Sequence, residues 1–172
     1  MTLAMIDTQV LQYLIVADMG LEGIPPIAHQ VREWYETLDK EHVLCLSSLV
    51  LGEFLAQHPP TLHNDLLTAL HEEWVIYPYN DLAALEFARL RYEHTSRERQ
   101  NSQVYREIMA QKRNYTVTKQ GLRVDTLILA HAVATDAEVF FTLNDGDFSK
   151  LAQGIVSIRI ERPLPKQPRL MT

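Results

Sequence analysis

Leu3-Ala4-Met5-Ile6-Asp7-Thr8-Gln9-Val10-Leu11 sets how the rest of the chain is read. An unbroken apolar run with no polar alternation describes a strand covered on both faces, as in a parallel sheet. Asp7-Thr8 stops the run and suits the start of a helix, which Val10, Leu11 and Leu14 continue at helical spacing. A strand that ends in a carboxylate and turns straight into a helix puts that carboxylate at the carboxyl edge of a sheet. Ligands of open α/β sheets bind at that edge.

The same pattern recurs along the chain. Pro25-Pro26 opens a helix carrying Ile27, Val31, Trp34, Tyr35 and Leu38, and Val43-Leu44-Cys45-Leu46 is a second buried strand. Ser47 or Ser48 caps an apolar helix from Leu49 to Gln57, which Pro59-Pro60 ends. Leu62 to Glu72 reads as a helix and Trp74 to Tyr77 as a third strand, and another helix begins after Asp81. From Arg91 to Gly121 the apolar content thins. Val124 to Ala134 is a helix, Val139-Phe140-Phe141 a strand, Phe148 to Ala152 a short helix and Ile155 to Ile160 a last strand. Strands alternating with helices in this way predict an α/β sandwich with a mainly parallel sheet of about five strands. The 172 residues, without internal repeat, fit a single domain over 1–162 and a Pro-rich tail over 163–172.

Composition narrows the class. With 47% hydrophobic and 22% charged residues, the chain is in the range of ordinary globular proteins. The first twenty residues carry no Lys or Arg, and no apolar run nears the roughly 18 residues of a membrane span, so we expect a soluble, cytoplasmic protein with no membrane partner. The single cysteine, Cys45, excludes an internal disulfide and reads as a buried thiol. A net charge of -6 argues against nucleic acid only if it is evenly spread, and it is not. Arg89 to Arg123 holds nine Lys and Arg against three Glu. Within it Arg97, Arg99, Arg106, Lys112, Arg113 and Lys119 alternate with Tyr105 and Tyr115, which suits phosphate contact and base stacking on a single strand. The same pattern also suits a solvated face paired with Glu93, Glu98 and Glu107.

The acidic residues are more specific. Asp7 follows the first strand. Glu53 sits within Leu49-Val50-Leu51-Gly52-Glu53-Phe54-Leu55-Ala56, where a buried, unpaired carboxylate costs several kcal/mol, so it either finds a partner or lies on a solvent-facing stripe. Asp125 opens the apolar helix from Val124, where a cap is the ordinary role. Thr142-Leu143-Asn144-Asp145-Gly146-Asp147-Phe148 places two carboxylates and an amide after a buried strand, in residues that also favour a plain turn. Carboxylates converging from separate strand ends form the all-oxygen set that Mg²⁺ or Mn²⁺ takes. The histidines show no metal spacing: His71-Glu72-Glu73 lacks the second His of a zinc protease helix.

Ile6-Asp7-Thr8, Ser48-x-Val50-x-x-Glu53, Val124-Asp125-x-x-Ile128-x-x-x-Ala132 and Thr142-x-Asn144-x-x-Asp147-Phe148 together resemble a PIN domain, the nuclease fold of the VapC-type toxins. The resemblance spans most of the chain in order. It implies a three-layer α/β/α sandwich, Mg²⁺ or Mn²⁺ held by three or four acids, and metal-dependent hydrolysis of single-stranded RNA. Carried over by position, Asp7, Glu53 and Asp125 take the principal acidic places as catalytic and metal residues. For the fourth place Asn144 fits by spacing, Asp145 is one residue later, and Asp147 precedes the Phe. Asp145 is the candidate metal ligand, and either Asp145 or Asp147 would position the metal or the attacking water. Thr8 and Thr142 offer hydroxyls to a phosphate or to a neighbouring carboxylate. The resemblance further implies an antitoxin protein as partner and a homodimer. The long basic stretch is a departure from the compact toxin pattern. Two other readings remain: a catalytically silent PIN-like module that binds RNA or protein, and a phosphoacceptor α/β domain. The second lacks the acid at position 9 that a dehalogenase-type site wants, since Gln9 stands there, and lacks the acidic pair of a receiver.

Overall fold

The computed structural model describes residues 1–18, 23–38, 42–100, 119–153 and 158–165, with backbone alone for 94–100 and 119–122. Five strands, β1 (Thr2–Ile6), β2 (His42–Ser47), β3 (Val75–Tyr77), β4 (Val139–Phe141) and β5 (Arg159–Glu161), form one sheet. The helices are α1 (Thr8–Asp18), α2 (Pro26–Thr37), α3 (Ser48–Leu55), α4 (His63–Glu73) after a 3-10 turn at Pro60–Leu62, α5 (Asp81–Gln100), α6 (Lys119–Ala134) and α7 (Asp145–Ala152).

The strand order is β3-β2-β1-β4-β5 and every pairing is parallel. The central strand is β1, whose Ala4, Met5 and Ile6 are wholly buried, as its apolar run requires. From β1 the chain builds outward through β2 to β3, then crosses back to add β4 and β5 on the other side. The direction therefore reverses between β1 and β4, and the crevice beyond their carboxyl ends is the place where such sheets bind ligands.

Two adjacent aromatics fix the layers. Successive strand residues point to opposite faces. Phe141 meets Trp34 of α2 at a ring separation of 4.7 Å, and Phe140 meets Phe148 of α7 at 4.7 Å. So α2 and α7 cover opposite faces, and the predicted α/β/α sandwich is what forms. Cys45 lies in the core, where burial pushes its thiol up to about 12, consistent with an inert side chain. Among the described residues no helix is long and apolar enough to cross a membrane.

Three expectations are corrected. First, α6 begins at Lys119 rather than Val124, because packing against α5 outweighs the ~1 kcal/mol cost of Gly121 in a helix. Asp125 therefore stands in the second turn, beyond the short reach of a helix-terminus effect. Second, α7 begins at Asp145, so Asp145 and Asp147 occupy its first turn, where the helix dipole favours them, rather than a free loop. Third, β5 starts at Arg159 and not at Ile155; residues 154–157 lie outside the described residues. Both described ends of the basic stretch are helical: Arg89 to Gln100 continues α5, Lys119 to Arg123 opens α6, and the two helices pack together, while residues 101–118 lie outside the described residues.

Candidate functional site

Asp7 is the first residue past β1, and its N–H still donates to the Phe141 carbonyl at 2.9 Å, so the β1–β4 ladder fixes its backbone. Its side chain is only 7% exposed. A carboxylate so buried must be hydrogen-bonded. The Thr8 N–H donates to Oδ1 at 2.7 Å and the Thr142 hydroxyl donates to Oδ2 at 2.8 Å. A simple N-cap would take the N–H of the second or third helical residue, and Asp7 takes that of the first, with its other oxygen committed to another strand. Thr142 is itself wedged at the edge: it follows β4, its N–H donates to the Glu161 carbonyl at 3.1 Å, and its Oγ1 accepts the Asn144 N–H at 3.0 Å.

Glu53 reaches the same edge from α3. Ser47 ends β2 and caps α3 at once, its Oγ accepting the Leu49 N–H at 3.1 Å, so this helix rises directly from the sheet. The Thr8 hydroxyl donates to Glu53 Oε2 at 2.6 Å. The apolar surroundings of Glu53 called for a partner, and that partner is a hydroxyl. Both threonine hydroxyls thus orient carboxylates.

Burial pushes the Asp7 carboxyl above its usual range; the bonds from Thr142 and Thr8 pull the other way, and the nearby Glu53 charge adds to the rise. Among the described residues no Lys or Arg is paired with Asp7 or Glu53. Two neighbouring carboxylates, one of them deeply buried, leave this edge short of positive charge. Their oxygen donors fit a hard divalent cation. Thr142→Val keeps the shape but removes one of the two donors to Asp7. Losing a bond to a charged group costs about 1.5–3 kcal/mol. Urea unfolding should show that loss near neutral pH, shrinking as acid protonates Asp7; an equal loss at every pH would contradict the assignment.

Similar folds occur in solved structures. One is a chain in the structure of VapBC2 from Rickettsia felis bound to a DNA fragment from their promoter, 18% identical, covering 93% of this chain and 98% of that one at a TM-score of 0.56. Another is in VapBC-1 from nontypeable Haemophilus influenzae, 16% identical over 94% and 98% of the two chains, TM-score 0.57. A third is in DNA-bound VapBC from Salmonella typhimurium, 21% identical over 95% and 99%, TM-score 0.55. The fold is PIN-like, of the VapC type. At such identities the likeness is one of fold. No protein-family model and no curated protein matches the chain.

Within this PIN-like fold the remaining candidates separate. The Glu138 N–H donates to the Leu3 carbonyl at 2.9 Å, so α6 descends to the amino end of the sheet and its early turns, with half-buried Asp125, lie toward the carboxyl edge. Among the described residues, however, no group of three His, Cys, Asp or Glu side chains forms a ready metal cage. Asp145 lies 3.7 Å from the Arg162 guanidinium, and Asp147 lies 3.7 Å from the Lys150 ammonium. Asn144 precedes α7 and makes no side-chain capping bond. The structure therefore brings together Asp7, Thr8, Glu53, Thr142 and the Asn144 backbone, and sets Asp145 and Asp147 beside basic residues. Arg97 and Arg99 lie on the last turns of α5, their side chains outside the described residues, as are Arg106, Lys112 and Arg113 entirely. Sequence reasoning missed Arg162, although a basic residue directly after the last strand is a readable signal. It also missed the buried His131.

Proposed function

We propose that the chain is a Mg²⁺- or Mn²⁺-dependent endoribonuclease that hydrolyses phosphodiester bonds of single-stranded RNA, acting as the toxin of a toxin–antitoxin pair. The observation that carries this reading is the Asp7–Glu53 edge: a deeply buried carboxylate beside a second one, with no basic partner among the described residues, at the switch point of a parallel sheet. Asp7, Glu53 and Asp125 are the proposed metal ligands, with Asp145 the candidate fourth. When bound, the ion polarises the phosphoryl oxygen and lowers the pKa of a coordinated water.

The protein's own residues prepare that edge. Thr142 and the Thr8 N–H hold Asp7 in one orientation, and the Thr8 hydroxyl holds Glu53. Arg162 and Lys150 stand at the rim beside Asp145 and Asp147, as charges that a polyanion would meet. Asp147 is proposed to orient the attacking water, with Asn144 and the basic side chains of the 97–113 stretch contacting substrate. An antitoxin protein and a second copy of the chain are the proposed partners, in keeping with the VapBC assemblies that share the fold.

The test is cleavage of fluorescent single-stranded RNA with Mg²⁺, with Mn²⁺ and with EDTA, by the parent and by Asp125→Asn. We expect metal-dependent cleavage that falls by on the order of 10²-fold in the folded variant, because altering even an outer-shell group commonly costs 10- to 100-fold. The second reading, a silent PIN-like binding module, is favoured by the absence of a three-carboxylate cluster among the described residues. Intact RNA across a broad panel, together with no heat of Mg²⁺ or Mn²⁺ binding, would select it.

A further inference from the structure

His131 is wholly buried on α6, inside the apolar run Leu129-Ala130-His131-Ala132, and no chemistry considered so far uses it. Its Nδ1 lies 2.6 Å from Ser47 Oγ, itself wholly buried at the end of β2. The Tyr79 ring packs edge-on against the imidazole at 5.5 Å, and the Tyr79 N–H donates to Ser48 Oγ at 2.9 Å. Burial lowers the His131 pKa by more than the Pro78 carbonyl raises it, so the ring is neutral near pH 7. Nε2 makes no well-formed hydrogen bond. Ser47 Oγ accepts the Leu49 N–H and is also within hydrogen-bond distance of Nδ1. One serine then joins the end of β2, the start of α3 and the middle of α6.

We infer that Ser47 and His131 are positioning residues for the site, their hydrogen bond locking α6, which carries Asp125, to the strand end from which α3 carries Glu53. The inference rests on the nuclease reading. Each carboxylate stands six residues along its helix from the lock, Ser47 to Glu53 and Asp125 to His131. At the rise of an α-helix that is ~9 Å on each arm. A tilt of roughly 10° about the lock moves either carboxylate by ~1.6 Å, beyond the ~0.5 Å within which a site must be held. A buried polar pair set between apolar layers is also a costly feature to keep unless it fixes geometry, because an unpaired half costs about 1–3 kcal/mol.

The experiment places nitroxide labels on the exposed positions Ala56→Cys, at the end of α3, and Arg123→Cys, two residues from Asp125. Buried Cys45, its thiol pushed up to about 12, stays unlabelled. Distances are read by pulsed electron resonance in the otherwise unaltered chain and in chains carrying Ser47→Ala, or Val31→Ala as a core control on α2. Mn²⁺ affinity is measured by calorimetry in the same backgrounds without labels. We expect a narrow distance distribution in the parent and in Val31→Ala, a broadened or shifted one in Ser47→Ala, and a loss of Mn²⁺ affinity of about 10- to 100-fold in Ser47→Ala alone. Unchanged distances in Ser47→Ala, or altered distances with the parent's Mn²⁺ affinity, overturn the inference. A parent that binds no Mn²⁺ and leaves RNA intact, with Ser47→Ala still broadened, sinks the nuclease reading and keeps the lock.

Discussion

Asp7→Asn should lower metal-dependent RNA cleavage by on the order of 10²-fold or more, the upper end of what outer-shell changes cost, and at the same time raise the melting temperature in EDTA at pH 7. The two effects have one cause. Asp7 has a folded-state pKa above its ordinary value, through burial and the neighbouring Glu53 charge. Between the unfolded and the folded pKa the folded chain binds the extra proton, so stability declines as pH rises through that window and the deficit is fully present above it. An amide of the same shape has no charge to bury. Its Oδ1 can accept from Thr8 N–H, and its Nδ2 can donate to the Thr142 hydroxyl, which can turn to accept. Thermal melts at pH 7 and at acid pH check the sign: the advantage of Asp7→Asn should vanish where Asp7 is protonated. A variant less stable than the parent at pH 7 would show that Asp7 is a structural ion after all.

The largest stability loss is expected at Phe140→Ala, at about 3–5 kcal/mol, since a buried aromatic is lost and the site cannot fully collapse around the gap. Phe140 is wholly buried, and its ring lies 4.7 Å from Phe148, which α7 buries together with Leu151 and Ala152. The expected signature in urea is a lower midpoint with an unchanged slope. The effect should also reach function, because α7 carries Asp145 and Asp147 in its first turn. Phe140→Leu keeps most of the volume and should recover most of the stability. Equal losses for Ala and Leu would mean that the aromatic pair, and not the filled volume, holds α7.

How much of this was legible in the sequence depended on how local the signal was. Leu3 to Ile6 followed by Asp7-Thr8 is self-contained: an apolar run and a polar stop are enough to place a carboxylate on the edge of a sheet. That Glu53 needed company was also legible, because its neighbours in sequence are nearly all apolar. That the company is the Thr8 hydroxyl was not, since it depends on α1 and α3 lying side by side. Local signals misled where one residue type serves two structures. Apolar spacing starts at Val124, yet α6 begins at Lys119, runs through Gly121 and carries Asp125 away from its start. Asn144-Asp145-Gly146-Asp147 suits a turn and equally the first turn of a helix, which is what forms. His131 left no trace, because a histidine in an apolar run looks the same whether its ring meets a hydroxyl or nothing.

The bond between Thr142 and Asp7 joins residues 135 positions apart. During synthesis β1 leaves the ribosome well before β4, the strand that must lie beside it. Contacts of such span carry a large loop-closure entropy and form slowly. Until β4 docks, Asp7 is a solvated acid next to Thr8, with neither its burial nor its second donor. A nascent chain broken between Glu53 and Thr142 holds both Asp7 and Glu53 and still lacks the bond that fixes Asp7. Order in time thus sets when the edge can form: it is completed only once β4 has been made and has docked beside β1.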